Sequence, residues 1–292
     1  MPSHEFETRR GSVWERFPFA GKEPPDIRAG MEALALQDLR PYGDVSWAPG
    51  PCGPASGKWV RPAQPTGALL YYIHGGGFTL GSSGIPLPFL LELSHRLRLT
   101  CFSLDYRLAP EHPFPAAPED ALAGYRALLE LGYDPGRIVV CGESAGATLT
   151  LVLLQQARQA GLPLPAAAVA LSPVTDAAPE QARDSEQVLE QLPSTDEVWA
   201  AYAPGADLTD PRISPARGDL HGLPPVFLSV GGAEALLTDA LLYTKRAAQA
   251  GQDVRLHVGR DMIHTYPLDL WDYPEAMDAF AEMELFIRQQ LR

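Results

Sequence analysis

The chain has 292 residues, of which 46% are hydrophobic, and a formal net charge of -13. So acidic a chain is a poor match for the phosphate backbone of nucleic acids or for an anionic membrane surface, so we expect neither partner. The three cysteines show no CxxC spacing, which argues against a disulfide framework and against a structural metal site.

The first 66 residues are rich in proline and glycine, with one helical pattern near Asp26 to Leu39. They contain no apolar run long enough for a secretion signal, and no stretch of about 18 apolar residues follows. We therefore expect an irregular N-terminal covering layer on a cytoplasmic protein that does not span a membrane.

From Ala68 onward, short apolar runs alternate with longer helical patterns. The runs that predict strands are 68–73, 101–106, 137–142, 166–171, 225–230 and 253–258. This alternation is typical of a mostly parallel sheet with crossover helices on both faces, so the predicted fold class is α/β.

The alternation is interrupted from about Thr175 to Leu223 by a segment rich in Pro, Asp and Glu. It contains a short helical pattern around Thr195 to Tyr202. The segment leaves the carboxyl edge of a strand, where open α/β sheets bind their ligands. We therefore predict that it covers a site as a lid.

A G-x-S-x-G motif, Gly142 to Gly146, lies between a predicted buried strand and the helix that starts at Ala145. In this context the motif predicts a nucleophile elbow, in which Ser144 stands above the sheet at a helix N-terminus. The two glycines are needed because side chains at those positions would collide with the neighbouring strand and helix. Ser144 is therefore the candidate nucleophile.

The predicted strand 68–73 is followed directly by His74-Gly75-Gly76-Gly77, an HGGG element typical of the oxyanion loops of esterases. We expect the backbone N–H groups of Gly75, Gly76 and Ala145 to hold the oxyanion, with Gly77 shaping the turn. His74 is interpreted as a structural hydrogen-bonding residue. Because the glycines do not follow the G-x-G-x-x-G spacing, no dinucleotide or other cofactor is expected.

A serine nucleophile needs a histidine base and a carboxylate that orients it, in the chain order serine, acid, histidine. His264 lies in the loop after the last predicted strand, whereas His221 and His257 fall at less suitable positions. For the acid, Glu234 lies in the loop after strand 225–230 and is preferred, while Asp239, one turn into the following helix, is the alternative.

The chain resembles the bacterial hormone-sensitive-lipase family of esterases over about Asp26 to Tyr266. The motifs that carry the resemblance are HGGGFTLGS, DYRLAPEHPFPAA, GESAG, LSPVTD, DPRISP and GLPPVFLSVGGAE. It implies one α/β-hydrolase domain over 1–292, with a cap formed by about 1–50 and about 176–222. It also implies hydrolysis of short to medium acyl esters and supports the triad Ser144, Glu234 and His264, without metal or cofactor.

Two residues depart from the family pattern. Family members more often have Asp or Thr where Glu143 stands, and more often Asp where Glu234 stands. We expect the first change to alter the surroundings of the elbow, and the second to move the acid's loop back slightly. An amidase, lactonase or peptidase would use the same triad, whereas a small-molecule receptor of this fold would lack the base.

Three further expectations concern the surroundings of the site. Asp105, Arg107 and Glu111 are predicted to form a buried ion-pair network that supports the HGGG loop. Three aromatic residues are candidates for a substrate pocket, with plain cap packing as the alternative: Phe78, Trp199 and Tyr202. The apolar stripe of the last helix is more typical of core packing than of a dimer face, so a homodimer is only a hypothesis.

Overall fold

The computed structural model of the protein describes residues 2–9, 11, 13–18, 22–178 and 195–292. Within them the strands are Val45–Cys52 (β1), Ala55–Pro62 (β2), Leu69–Ile73 (β3), Thr100–Asp105 (β4), Ile138–Glu143 (β5), Ala167–Leu171 (β6), Val226–Gly231 (β7) and Val254–Gly259 (β8). They form one sheet in the order β1-β2-β4-β3-β5-β6-β7-β8. The pairs β1–β2 and β2–β4 are antiparallel and all the others are parallel.

The helices of the described residues are His4–Glu7 (α1), Val13–Arg16 (α2), Pro24–Gln37 (α3), Leu87–Leu97 (α4), Ala116–Glu130 (α5), Ala145–Gln159 (α6), Thr195–Tyr202 (α7), Leu237–Gln249 (α8) and Pro274–Gln290 (α9). Helices α5 and α6 pack on the face of the sheet that carries Tyr71, and α4 and α9 on the face that carries Tyr72. The predicted α/β class, with helices on both faces, is confirmed. None of the helices in the described residues is long and apolar enough to cross a membrane.

The burial of the central strands explains why they could be predicted from apolar runs in the sequence. Every residue of β3, β6 and β7 is buried, because parallel strands covered by helices on both faces have no solvent side. Such strands are continuous apolar runs, and all six predicted strands are found within two residues of their predicted ends.

The hairpin β1–β2 was not predicted, and the expectation of an irregular N-terminal layer is wrong for it. Strand β1 contains Pro49 and Pro51, which normally argue against a strand. Both are tolerated because β1 is the edge of the sheet, where N–H groups on the outer side need no partner. Gly57 of β2 is also required, since a Cβ there would lie 2.0 Å from the carbonyl oxygen of Ser103 in β4.

The described parts of the ranges predicted for the cap contain helices and the start of a strand. Helices α3 and α7 lie where helical patterns were predicted, but the range 1–50 runs into the sheet at Val45. The middle of the second range, 179–194, lies outside the described residues. The apolar stripe of α9 is core: Phe280, Met283 and Phe286 are buried against the sheet. The division into one domain with a two-part cap stays a prediction.

Candidate active site

The GESAG motif forms a sharp turn between β5 and α6. Ser144 occupies the N-cap of α6 with φ 54° and ψ -121°, a backbone conformation that L residues rarely adopt. A Cβ on Gly142 would lie 2.4 Å from the carbonyl oxygen of Gly146, and one on Gly146 would lie 2.0 Å from that of Ile73. Both glycines are therefore required by backbone contacts, as the sequence predicts.

The three residues predicted as a triad lie in one hydrogen-bonded chain. His264 Nε2 is 2.9 Å from Ser144 Oγ, and His264 Nδ1 is 3.3 Å from Glu234 Oε2. Because an ionised carboxylate can only accept, Nδ1 carries the proton and the Nε2 lone pair faces the serine hydroxyl. This is the tautomer that removes a proton from a serine.

The alternative acid, Asp239, has a different set of partners. Its Oδ1 accepts the backbone N–H groups of Thr175 at 2.8 Å and Asp176 at 3.1 Å. The Thr175 hydroxyl in turn donates to the Asp239 carbonyl at 2.7 Å. Asp239 therefore holds the loop after β6 against the start of α8, whereas the carboxylate bonded to the imidazole belongs to Glu234.

Glu234 is buried, and this burial raises the pKa of its carboxyl group, while His264 and the hydroxyl of Ser172 act in the opposite direction. A buried carboxylate is costly unless such groups compensate its charge. Ser172 was not singled out from the sequence, although it lies in the quoted motif LSPVTD.

The other histidines lie in separate environments. His221 is bonded to Asp219 at the surface, and His257 in β8 is bonded to Glu282. His74 is fully buried, and this burial lowers its pKa to about 4. Its Nδ1 lies 2.7 Å from the Gly75 carbonyl oxygen, to which it must donate, so neutral His74 braces the HGGG loop as a structural residue.

One expected oxyanion donor, the N–H of Gly75, is bonded to another group of the protein, which corrects the expectation from the sequence. The N–H of Gly75 donates to Oε1 of Glu143 at 2.7 Å, inside the protein. It cannot also point at a substrate oxygen. Among the described residues, the N–H groups of Gly76 and Gly77 have no acceptor, and both glycines have positive φ values, 108° and 58°. Gly77, expected only to shape the turn, thereby becomes a candidate donor.

Glu143 thus links the elbow to the HGGG loop. It is fully buried, and burial raises the pKa of its carboxyl group to about 7. The bond to Gly75 joins the end of β5 to the loop after β3, two neighbouring strands of the sheet. The expectation that a glutamate here alters the surroundings of the elbow is consistent with this contact, but the residue's role was not foreseen.

The predicted ion-pair network around the HGGG loop is only partly as expected. Asp105 accepts the N–H of Ser83 at 2.7 Å and so fixes the loop behind the glycines. Arg107 and Glu111, however, are not buried: each side chain is 46% exposed. Glu111 supports the loop indirectly, since its partner Arg28 donates to the carbonyl oxygen of Thr79.

The three candidate pocket aromatics lie together against the HGGG loop. Phe78 stacks on Tyr202 with 3.8 Å between ring centroids, and Trp199 lies 5.7 Å from Phe78. All three are buried. A Cβ on Gly77 would lie 3.6 Å from Val198, so α7 covers this loop directly. Contact of these rings with a substrate stays a prediction.

Comparison with known proteins agrees with this geometry. A family profile described as the alpha/beta hydrolase fold matches residues 70–268. The chain belongs to the bacterial hormone-sensitive-lipase-like family of α/β-hydrolase esterases. It is 40% identical to an acetyl-hydrolase of Streptomyces hygroscopicus over 92% of this chain and 86% of that protein.

Solved structures of the same family cover the whole fold. A bacterial hormone-sensitive-lipase-family esterase superposes with a TM-score of 0.90 at 34% identity, covering 100% of both chains. The esterase EstE5, in crystals soaked with p-nitrophenyl butyrate, superposes with a TM-score of 0.85 at 34% identity over 96% of both chains. The family assignment made from the motifs is therefore confirmed.

Proposed function

We propose that this protein hydrolyses carboxylic esters of short acyl chains through an acyl-enzyme on Ser144. The observation that carries the proposal is the hydrogen-bonded chain from Ser144 through His264 to Glu234 at the carboxyl edge of the sheet. An alcohol oxygen becomes a good nucleophile only when such a base takes its proton.

In the first half-reaction His264 Nε2 accepts the proton of the Ser144 hydroxyl while Oγ attacks the ester carbonyl carbon. The tetrahedral intermediate collapses, and the imidazolium returns the proton to the departing alcohol. Water then attacks the acyl-enzyme with His264 again as base, which releases the carboxylic acid and restores Ser144. Glu234 keeps the Nδ1 proton in place and stabilises the imidazolium in both halves.

For the oxyanion we assign the N–H groups of Gly76, Gly77 and Ala145. Ala145 is the first residue of α6, so its N–H is free of intrahelical bonding and lies at the positive end of the helix dipole. Gly75 is left out because its N–H is bonded to Glu143. N–H groups fixed in advance stabilise the developing charge by several kcal/mol each. The mechanism needs no metal and no cofactor.

The short-acyl preference is inferred from relatives. The Streptomyces relative is named an acetyl-hydrolase, and EstE5 was soaked with a butyrate ester. The aromatic cluster of Phe78, Trp199 and Tyr202 already fills the space beside the HGGG loop in this chain. We infer that it limits the length of the acyl or alcohol group that fits.

The test is hydrolysis of p-nitrophenyl esters from acetate to palmitate. We expect turnover to be highest for acetate and butyrate and to fall at least about 10³-fold in Ser144→Ala. The matched control is Ser103→Ala, which removes a buried serine hydroxyl in β4 that has no hydrogen-bond partner among the described residues. Wild-type rates in Ser144→Ala would overturn the proposal.

A further inference from the structure

Ser172, the first residue after β6, has an unusual backbone conformation. It is fully buried and has φ 52°, although it is not a glycine. L residues seldom occupy this left-handed region, and those that do concentrate at functional sites, where the surrounding structure holds them.

The side chain of Ser172 lies between the acid and the base of the proposed triad. Its Oγ is 3.0 Å from Glu234 Oε2 and 3.1 Å from the backbone nitrogen of Thr265, the residue after His264. The directions of both bonds are fixed, since the N–H of Thr265 can only donate and an ionised carboxylate can only accept. The single hydroxyl therefore accepts from the loop of the base and donates to the acid.

The backbone at the same point reaches the nucleophile. The carbonyl oxygen of Leu171 accepts the N–H of Ser144 at 2.8 Å, and the N–H of Ser172 donates to Ser229 of β7 at 2.7 Å. The two-residue segment Leu171-Ser172 thus bonds to the nucleophile's backbone, to the acid's carboxylate and to the loop of the base. Of the two residues in this segment, Ser172 is the one whose side chain bonds to the acid.

We propose that Ser172 is a positioning residue that fixes the Glu234 carboxylate and the His264 loop relative to each other. The inference rests on the proposed function, and it goes beyond it by assigning a role outside the triad and the oxyanion loop.

The need for such a residue follows from the acid itself. Glutamate has one more rotatable bond than aspartate, so its carboxylate has more positions to choose from. The bond from Nδ1 of His264 to Glu234 is 3.3 Å long, whereas the bond from Ser172 to the same oxygen is 3.0 Å. The hydroxyl holds that oxygen in reach of the imidazole, and small displacements of catalytic groups cost large factors in rate.

The experiment compares Ser172→Ala and Ser172→Gly with wild type and with Ser103→Ala. Glycine accepts a φ of 52° without strain, so Ser172→Gly removes the hydroxyl while keeping the backbone. With p-nitrophenyl butyrate we expect kcat to fall about 10- to 100-fold in both Ser172 variants, with KM changed less than about threefold. Ser103→Ala is expected to stay within about twofold of wild type.

A second measurement separates positioning from general damage to the structure. In a Glu234→Ala background, Ser172→Gly is expected to lower kcat by less than about twofold, because the carboxylate that Ser172 fixes relative to the His264 loop is gone. Full activity in Ser172→Gly, or an equal loss of kcat with and without Glu234, would overturn the inference. Failure of the proposed function would show differently, as wild-type protein without ester turnover or as an active Ser144→Ala variant.

Discussion

Two buried glutamates lie beside the proposed catalytic groups, and they bond to different partners. On the oxyanion side, Glu143 accepts a neutral backbone N–H, that of Gly75. On the base side, Glu234 accepts from the imidazole of His264 and from the hydroxyl of Ser172. Burial raises the pKa of both carboxyl groups.

The difference indicates at which of the two glutamates the negative charge is needed for catalysis. The charge of Glu234 stabilises an imidazolium that forms during each half-reaction, so it is useful in the transition state. The bond of Glu143 to Gly75 needs only an oxygen acceptor, which a neutral side chain can also supply. We therefore expect removal of the charge to damage catalysis at Glu234 and to stabilise the fold at Glu143.

The largest effect is expected at Glu234. Replacing it by glutamine keeps the shape but allows an amide N–H to face Nδ1, which favours the wrong tautomer of His264. We expect Glu234→Gln to lower kcat for p-nitrophenyl butyrate by about 10³- to 10⁴-fold. A loss of less than about tenfold would mean that the carboxylate is not the orienting acid.

The next effect is a change in the stability of the fold with pH, caused by the ionisation of Glu143. Its pKa is about 7 in the folded protein and about 4.5 when exposed, so its favourable contribution to folding is complete below pH 4.5. That contribution is lost as the pH rises, and the loss is complete above pH 7. At about 1.4 kcal/mol per pKa unit, the total change is about 3 kcal/mol.

In Glu143→Gln the side chain is neutral at every pH, so the free energy of unfolding does not fall for this reason. Measured by urea unfolding, the variant is therefore expected to gain about 3 kcal/mol relative to wild type between pH 4.5 and pH 8. The control is Glu130→Gln at an exposed position at the end of α5, which should show no such trend. A difference between Glu143→Gln and wild type that does not change with pH would show that the ionisation of Glu143 is not coupled to folding.

Much of the candidate site could be predicted from the sequence. Ser144, His264 and Glu234 were predicted from motif, chain order and loop position, because each follows a predicted strand. The bond from the N–H of Gly75 to Glu143 could not be predicted, since it joins a loop to the end of a strand 68 residues away in the sequence. The role of Ser172 was hidden for the same reason, and nothing in LSPVTD indicates a left-handed serine.

The missed hairpin has a different physical cause. Strands β1 and β2 lack the apolar runs of the buried strands, because β1 is exposed along most of its length. Strand β1 pairs with β2 through backbone hydrogen bonds, and Gly57 lets β2 lie close to β4. Neither feature leaves an apolar pattern in the sequence. Pattern-based prediction is strongest where both faces of a strand are buried.

The smallest effect is expected at Asp239, the alternative acid five residues from Glu234. Its Oδ1 holds the N–H groups of Thr175 and Asp176, so its contribution is to the loop after β6 rather than to the base. Asp239→Asn keeps an acceptor oxygen but weakens two charge-assisted bonds, which should lower the free energy of unfolding by about 1–2 kcal/mol. We expect kcat to stay within about threefold of wild type. If kcat instead fell as far as in Glu234→Gln, the acid would have to be reassigned, because two carboxylates this close in sequence would then be acting on the same imidazole.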